Sequence, residues 1–331
     1  MTISVAMCTY NGARYVQEQL ESIAQQSRLP DDLIVCDDGS TDRTIEIVQR
    51  FAATVAFPVR LCVNDQNLGS TRNFEQAIGF CTGELIALSD QDDVWKPEKL
   101  ELLEAEFVRR PDVGLVFADA EIVDERLRPV GRRMWNEVGF REREKALFKK
   151  GRALDVLLPG WSVTGATMAF RSKLRDLILP FPTDLPMIHD GWIAVMVAAV
   201  SEIAYIDKPL ISYRQHSEQQ IGAPRQRADS TEPPPTKLLK INLAASRAKN
   251  YGALVRITDA VAGRIRDRGN YGQYGYRLER RRRHLQARMK LPANVLTRFY
   301  VVLRELLTRR YSQFSNGIAS AVKDLVYGSH E

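Results

Sequence analysis

The chain has 331 residues, a length that predicts roughly two domains of about 150 residues each. Hydrophobic residues make up 44% of the sequence, which is enough to fill a large core and excludes a disordered chain. The formal net charge is +6, and much of this excess lies in the C-terminal tail. A basic tail favours an anionic partner, such as a membrane, a nucleotide sugar or a nucleic acid.

Membrane spans and export signals are not expected. No run of about 18 apolar residues occurs, and the first residues lack the basic start of a signal peptide. The four cysteines show no metal-site spacing and are Cys8, Cys36, Cys62 and Cys81. Because they lie in or at the end of apolar runs, they are predicted to be buried free thiols in a reducing cytosol.

Strand-like and helix-like segments alternate through the first third of the chain. The predicted strands are Ile3–Cys8, Leu33–Cys36, Val59–Val63 and Leu85–Leu88. The predicted helices are Ala13–Gln26, Thr41–Phe51, Ser70–Cys81 and Lys99–Arg109. This order predicts an α/β fold, Rossmann-like, with a mainly parallel sheet and helices on both faces. Ligands of such sheets bind beyond the carboxyl ends of the strands.

The rest of the chain has a mixed pattern. Further strands are predicted at Val113–Ala118, Ala166–Phe170, Ile203–Tyr205 and Leu210–Tyr213, and an apolar helix at Asp190–Val200. The charged segment Glu137–Arg152 is predicted to be a mobile insertion. We expect a main α/β domain over residues 1–222, a Pro-rich linker or loop over 223–237, and a basic, mostly helical C-terminal region over 238–331.

Three carboxylates follow the apolar run Leu85–Leu88, at Asp90, Asp92 and Asp93. Unpaired carboxylates are costly to desolvate, so a positive partner is expected beside them. Alternate residues of an extended segment point the same way, so Asp90 and Asp92 can face one ligand, such as Mg²⁺ or Mn²⁺ holding a diphosphate. The alternative is an acidic loop that caps the helix after Pro97, but a cap needs only one carboxylate.

Polar residues also follow the first two strands, at Thr9-Tyr10-Asn11 and at Asp37-Asp38-Gly39. A carboxylate there can accept a hydrogen bond from a base N–H or a ribose hydroxyl, and Gly39 permits a tight turn. The alternative is an ordinary strand–turn–helix connection in which an aspartate caps the helix. Because three strand ends carry polar residues, we expect them to form one cleft.

These motifs resemble those of the family 2 glycosyltransferases, which are inverting enzymes with the GT-A fold that use nucleotide sugars. The matching segments are Ser4–Asn11, Asp37–Asp42, Asn67–Gly69 with Arg72-Asn73, and Ser89–Trp95. The resemblance covers about residues 1–220. The Asp-Gln-Asp-Asp-Val-Trp form and Tyr213-Arg214-Gln215-His216 most resemble bacterial rhamnosyltransferases.

The resemblance implies roles for individual residues. Nucleotide or donor contacts are implied for Thr9, Tyr10, Asn11, Asp38, Arg72, Asp90 and Arg214. The metal ligands, for Mg²⁺ or Mn²⁺, are Asp92 and His216, although a lone histidine is also commonly structural. Supporting or sugar contacts are assigned to Asp93, Asp119, Trp161 and Gly165, with a core role equally open for Trp161.

The catalytic base implied by the family is the acidic residue at the start of the apolar helix, Asp190. Helix capping is the alternative role for this side chain. The commoner Glu-Asp pair is here His189-Asp190, which puts the usual partner carboxylate in doubt.

The implied function is metal-dependent, inverting hexosyl transfer, with rhamnose as the first expectation, from a dTDP- or UDP-sugar. The acceptor is expected to be a bacterial surface glycan, such as lipopolysaccharide, or a lipid-linked precursor of one. We expect a cytoplasmic protein at the inner face of the inner membrane, with the helices around Arg280–Arg283 contacting anionic lipid and no nucleic acid bound.

Two alternatives stay open at this point. One is a non-catalytic basic scaffold that binds anionic lipid or nucleic acid. The other is a nucleotidyltransferase, although that class typically has a Gly-rich, Arg-containing loop where this chain has Thr9–Gly12. An aspartate-nucleophile phosphatase is disfavoured because no threonine stands two residues after Asp90.

Overall fold

The computed structural model of the protein describes residues 1–160, 162–217, 219, 251–267 and 271–327. The strands are β1 Ile3–Thr9, β2 Asp32–Asp37, β3 Val59–Val63, β4 Leu85–Ser89, β5 Val94–Trp95, β6 Val113–Val123, β7 Pro129–Arg133, β8 Met168–Arg171 and β9 Glu202–Arg214. The helices up to residue 200 are α1 Val16–Ala24, α2 Thr44–Ala52, α3 Ser70–Phe80, α4 Lys99–Arg109, α5 Met134–Val138, α6 Glu142–Lys149, α7 Ala153–Leu157, α8 Arg175–Ile178 and α9 His189–Val200. The later helices are α10 Tyr251–Asp267, α11 Tyr271–Met289, α12 Val295–Leu307, α13 Arg310–Phe314 and α14 Ile318–Tyr327.

The described strands form one sheet in the order β3-β2-β1-β4-β8-β6-β9-β5, with β7 on the edge of β6. Strands β1 to β4 are parallel, as predicted, because helices cross over between them. The rest of the sheet is mixed, since β8 runs antiparallel to both β4 and β6. The predicted α/β fold is confirmed, with the parallel part concentrated in the first four strands.

The central strands lie in the core. All seven residues of β1 and all five of β4 are buried, which is typical of parallel strands covered by helices on both faces. The register places Thr9 beside Asp37 and Met7 beside Ser89. The ends of β1, β2 and β4 therefore lie side by side, and the expectation of a shared cleft follows from the strand order.

Two segments differ from the sequence expectation. Strand β9 runs continuously through both strands predicted between residues 203 and 213, because it pairs with β6 along its length. The predicted mobile insertion instead contains α6. The ring of Phe148 in this helix lies 5.0 Å from the Phe140 ring and 5.8 Å from the Phe117 ring, measured between centroids. Aromatic burial thus orders a segment whose charge pattern suggested mobility.

Contacts divide the described residues into two units. The first contains residues 1–153, 162–182 and 187–219, and the second contains 154–160, 183–186, 251–267 and 271–327. The predicted linker at 223–237 lies outside the described residues, so the proposed domain limits stay a prediction. Across the described helices, none combines the length and apolar character needed to cross a bilayer.

The second unit has its own small core and buried ion pairs. Leu291, Val302, Tyr311 and Ala321 form an apolar cluster that joins α12, α13 and α14. Arg288 makes a two-pronged ion pair with Asp324, with N–O distances of 2.5 and 2.9 Å.

Candidate active site

A cleft of about 460 Å³ lies at the carboxyl ends of β1, β2 and β4. This volume is within the range of small-molecule sites, which is roughly 300–1,000 Å³. Seven of the residues singled out from the sequence line it: Thr9, Tyr10, Asp38, Asp90, Asp92, Asp190 and His216. Strand order explains this convergence, because it brings together residues more than 200 positions apart in the chain.

Asp38 organises one wall of the cleft. Its Oδ1 accepts hydrogen bonds from the Leu68 amide at 2.7 Å and from Asn64 Nδ2 at 2.9 Å, and its Oδ2 accepts from the Gly69 amide at 2.8 Å. Gly69 has a φ of +82°, a conformation that favours glycine. Asp38 therefore holds the turn before α3, whose residues Asn67 and Gly69 also line the cleft.

Gln91 holds the loop after β1, which also lines the cleft. Its side-chain amide accepts from the Tyr10 N–H at 2.8 Å and donates to the Tyr10 carbonyl at 3.0 Å. A Cβ on Gly12 would lie 2.2 Å from Gln91 Oε1, so only glycine fits there without displacing the amide. The Tyr10 side chain remains 47% exposed and can offer its ring to a ligand. The sequence reasoning assigned no role to Gln91.

The two predicted metal ligands come together although 124 positions separate them. His216 Nε2 lies 2.8 Å from Asp92 Oδ2, and the His216 ring contacts the Tyr15 ring at a centroid distance of 4.6 Å. Gln219, which the sequence reasoning did not single out, also lines the cleft and has its Nε2 3.5 Å from Asp92 Oδ2. One carboxylate, one imidazole and one amide therefore converge on this corner.

The Asp90 carboxyl in the cleft wall has a strongly perturbed pKa. Burial is the largest cause that raises its pKa to about 7, and the nearby carboxylates of Asp92 and Asp190 contribute in the same direction. The charges of His189 and Lys99 act in the opposite direction but are weaker. A buried acid with this shift and like charges around it is typical of a site that receives a cation.

Behind the cleft, Asp93 and Lys99 are fully buried. Asp93 Oδ1 accepts from the Arg214 amide at 3.1 Å, whereas its Oδ2 has no hydrogen-bond partner among the described residues. Lys99 Nζ donates to the Ala166 carbonyl at 2.7 Å and lies 3.3 Å from the centroid of the Trp95 ring. Burial raises the pKa of Asp93 and lowers that of Lys99. Sequence reasoning counted Lys99 only as the start of a helix.

Asp190 faces the cleft from the first turn of α9. Its Oδ2 accepts from the Gly165 amide at 2.8 Å, and its Oδ1 lies 2.7 Å from His189 Nε2. A Cβ on Gly165 would lie only 2.3 Å from that Oδ1, so glycine allows the close approach. Helix α9 has Ile188 at its N-cap and no side-chain capping bond, which gives the alternative of capping no support.

His189 occupies the place where the family commonly has a glutamate. Its ring stacks on Phe74 at a centroid distance of 4.2 Å. Burial alone would lower the pKa of His189, but the Asp190 carboxylate outweighs it, and the pKa is raised. The histidine can therefore carry the positive charge that pairs with Asp190.

Two predicted donor-binding arginines do not line the cleft. Arg72 pairs with Glu75 at 2.5 Å on the surface of α3. Arg214 is buried, where it donates to the carbonyls of Asp92 and Glu125, both at 2.7 Å, and pairs with the Glu18 carboxylate. Each of its three guanidinium nitrogens has a protein partner, and this role could not be read from the local sequence.

The remaining predicted residues have other positions. Asn11 Oδ1 accepts from the Thr41 amide at 2.9 Å, which links the ends of β1 and β2 outside the cleft lining. Asp119 accepts from the amide of Trp135 at 3.0 Å, at the start of α5. Trp161 lies outside the described residues, so its role stays a prediction.

Comparison with known proteins identifies several that are similar in sequence to this chain. An uncharacterized glycosyltransferase of Nostoc sp. is 26% identical over 219 residues, 65% of each chain. The Escherichia coli protein UDP-Glc:alpha-D-GlcNAc-diphosphoundecaprenol beta-1,3-glucosyltransferase WfgD is 26% identical over 122 residues, which are 37% of this chain and 47% of WfgD. The chain thus spans less than two thirds of the length of these relatives.

The fold has a solved counterpart in Staphylococcus aureus TarS, residues 1–349, crystallised with UDP-GlcNAc. Its TM-score is 0.56 at 17% identity, over 99% of this chain and 93% of that one, and the shared architecture is GT-A-like. The sequence pattern described as glycosyl transferase family 2 matches residues 4–175. Because that match covers more than half of the chain, the protein belongs to glycosyl transferase family 2.

Proposed function

We propose that this protein transfers a sugar from a nucleoside diphosphate to an acceptor hydroxyl. The observation that carries the proposal is the meeting of the Asp92–His216 pair and Asp190 in one cleft. The Asp92–His216 pair is suited to bind a diphosphate together with its counter-ion, and Asp190 is suited to act as the base for the incoming hydroxyl. Family membership supports the reaction class.

The nucleoside is proposed to bind between Tyr10 and the turn held by Asp38. The exposed Tyr10 ring can stack on a base, and Thr9 lies beside it in the lining. TarS was crystallised with UDP-GlcNAc and WfgD is named for UDP-Glc, so UDP-sugars are natural first donors to test. The resemblance to rhamnosyltransferases makes dTDP-rhamnose the second donor in the comparison.

A divalent cation is proposed to sit with the diphosphate. Among the described residues, no three His, Cys, Asp or Glu side chains converge to form a complete metal cage. Mg²⁺ and Mn²⁺ need only one or two protein ligands when phosphate and water supply the others. Asp92 and His216 fit that smaller requirement, and Asp90 lines the same cleft. When bound, the cation would neutralise charge on the departing diphosphate.

Asp190 is proposed to take the proton of the acceptor hydroxyl. As that O–H bond breaks, the acceptor oxygen bonds to the anomeric carbon, and the bond from that carbon to the diphosphate oxygen breaks. The Gly165 amide and His189 hold the two carboxylate oxygens of Asp190, so the base is oriented before substrate arrives. Attack from the face opposite the diphosphate would invert the anomeric configuration.

The proposed acceptor is a hydroxyl of a bacterial surface glycan or of its lipid-linked precursor. WfgD, whose name specifies a diphosphoundecaprenol-linked acceptor, supports this class. Such an acceptor would place the reaction at the cytoplasmic face of a membrane.

The direct test is a screen of nucleotide sugars for transfer and slow hydrolysis, with Mn²⁺ and with a chelator. We expect Asp92→Asn to lower metal-dependent nucleotide binding by at least about tenfold, because it removes a charged ligand. Asp190→Asn should keep nucleotide binding and lower transfer by about 10²–10⁴-fold. Asp112→Asn, which changes an exposed carboxylate outside the cleft lining, is the matched control. Near-normal transfer by Asp190→Asn would place the base elsewhere.

A further inference from the structure

Helices α12 and α14 of the second unit expose a set of apolar side chains that lie outside the buried cluster of that unit. We name these nine residues the apolar face: Val295, Leu296, Phe299, Tyr300, Leu303, Leu307, Ile318, Val322 and Val326. Leu296 is 82% exposed and Leu307 is 76% exposed. Their spacing of three to four residues places them along one side of each helix.

The apolar face is separate from the core of this unit. The buried cluster uses Val302 of α12 and Ala321 of α14, with Tyr311 of α13 between them. Both helices are therefore already packed on one side and apolar on the other. Single exposed apolar residues are ordinary, but nine of them on two helices that contact each other indicate an interaction surface.

Charge identifies the kind of partner. The two acidic residues between positions 290 and 327 are Glu305 and Asp324, and both are buried in ion pairs. The exposed ionisable side chains of the same stretch are all basic: Lys290, Arg304, Arg309 and Lys323. Arg304 lies 3.5 Å from the buried Glu305 carboxylate, and Lys290, Arg309 and Lys323 complete a basic surface that has no exposed acid.

The basic residues flank the apolar ones at helical spacing. Arg304 follows Tyr300 by four positions and precedes Leu307 by three, and Lys323 precedes Val326 by three. Side chains with these separations are neighbours on a helix surface. An apolar face bordered by cations is typical of helices that lie in the interface of an anionic bilayer.

The arginine run highlighted by the sequence is used differently. Arg281 is buried, Arg282 pairs with Asp259 at 2.6 Å, and Arg283 pairs with Glu279 at 2.8 Å. Arg280 donates to the Thr308 carbonyl at 2.7 Å. Arg280 and Arg282 link α11 to other helices, so the cations considered for lipid contact are the exposed Lys290, Arg304, Arg309 and Lys323.

We propose that the apolar face and its four flanking cations dock on the surface of an anionic lipid bilayer. The apolar side chains would enter the boundary between headgroups and acyl chains, and the Arg and Lys side chains would contact lipid phosphates. A second copy of the chain is a poorer occupant, because it would bring one basic surface against another. This docking does not depend on the transfer chemistry proposed above.

The test is co-sedimentation of the full chain with phosphatidylcholine vesicles, with and without phosphatidylglycerol. We expect binding to the anionic vesicles only, weakening as salt is raised. The double variant Leu296→Ser/Leu307→Ser and the double variant Arg304→Gln/Lys323→Gln should each lower this binding at least about tenfold. Val108→Ser changes an apolar residue of α4 that is 63% exposed, and it should bind like the unmodified chain.

Three results would overturn the proposal. The unmodified chain could fail to bind anionic vesicles. Alternatively, both double variants could bind these vesicles as well as the unmodified chain does. Sedimentation velocity could instead show a dimer that Leu296→Ser/Leu307→Ser dissociates, which would assign the apolar face to a second copy. Donor hydrolysis, measured in the same samples without vesicles, separates this outcome from failure of the proposed transferase.

Discussion

Gly165→Ala tests whether the position of Asp190 matters for transfer. The added Cβ would lie 2.3 Å from Asp190 Oδ1 and 2.9 Å from Cγ, whereas ordinary contact begins at 3.4 Å. The carboxylate would have to move by about 1 Å, a displacement that can lower a rate about 10²-fold. The carboxylate is the end of a side chain and can turn away, so we expect folding to be largely preserved.

The assay compares transfer to acceptor with nucleotide binding in the same preparation. We expect transfer by Gly165→Ala to fall about 10²-fold while nucleotide affinity stays within about twofold, because the change is at the base and not at the diphosphate. Gly79→Ala is the matched control, since a Cβ there has no neighbour within 4 Å. If Gly165→Ala transfers sugar at the normal rate, the reasoning that orients Asp190 through Gly165 is refuted.

Three further outcomes are expected. Gly12→Ala should weaken nucleotide binding at least about fivefold by calorimetry, because its Cβ would displace the Gln91 amide that holds the loop after β1, and unchanged affinity would contradict this. Lys99→Met should lower the free energy of unfolding by about 2 kcal/mol in urea titrations, since it removes the buried hydrogen bond that Lys99 Nζ donates to the Ala166 carbonyl. Exposed Lys173→Met is the control for that variant, and equal stability of the two would show that Lys99 is dispensable. Burial lowers the pKa of His284 below its ordinary 6.5, so the folded chain holds this proton less tightly than the unfolded chain and loses stability as pH falls below about 6.5. His284→Gln should therefore flatten the melting temperature between about pH 7 and 5, and an unchanged slope would assign the pH dependence to other groups.

Local sequence was sufficient for the framework of this protein. The apolar runs of β1, β2 and β4 are continuous because these strands are buried on both faces, so their limits could be predicted closely. Parallel strands end at the same edge of a sheet, and this rule alone brought Thr9, Asp38 and Asp92 into one predicted cleft. Asp190 follows instead from the family resemblance, which implies that the base is the acid at the start of an apolar helix.

The tertiary structure alone decided which of the polar residues line the cleft and which support the fold. Arg214 and Asp92 look equally suited to bind a donor in the sequence, yet one is buried in contacts with three distant segments and the other faces the cavity. Gln91 and Lys99 gave no local signal, because their contacts join residues 81 and 67 positions apart. Hydrophobic periodicity depends on neighbours in the chain. The contacts of a polar side chain depend on which distant elements the fold places within a few ångströms of it.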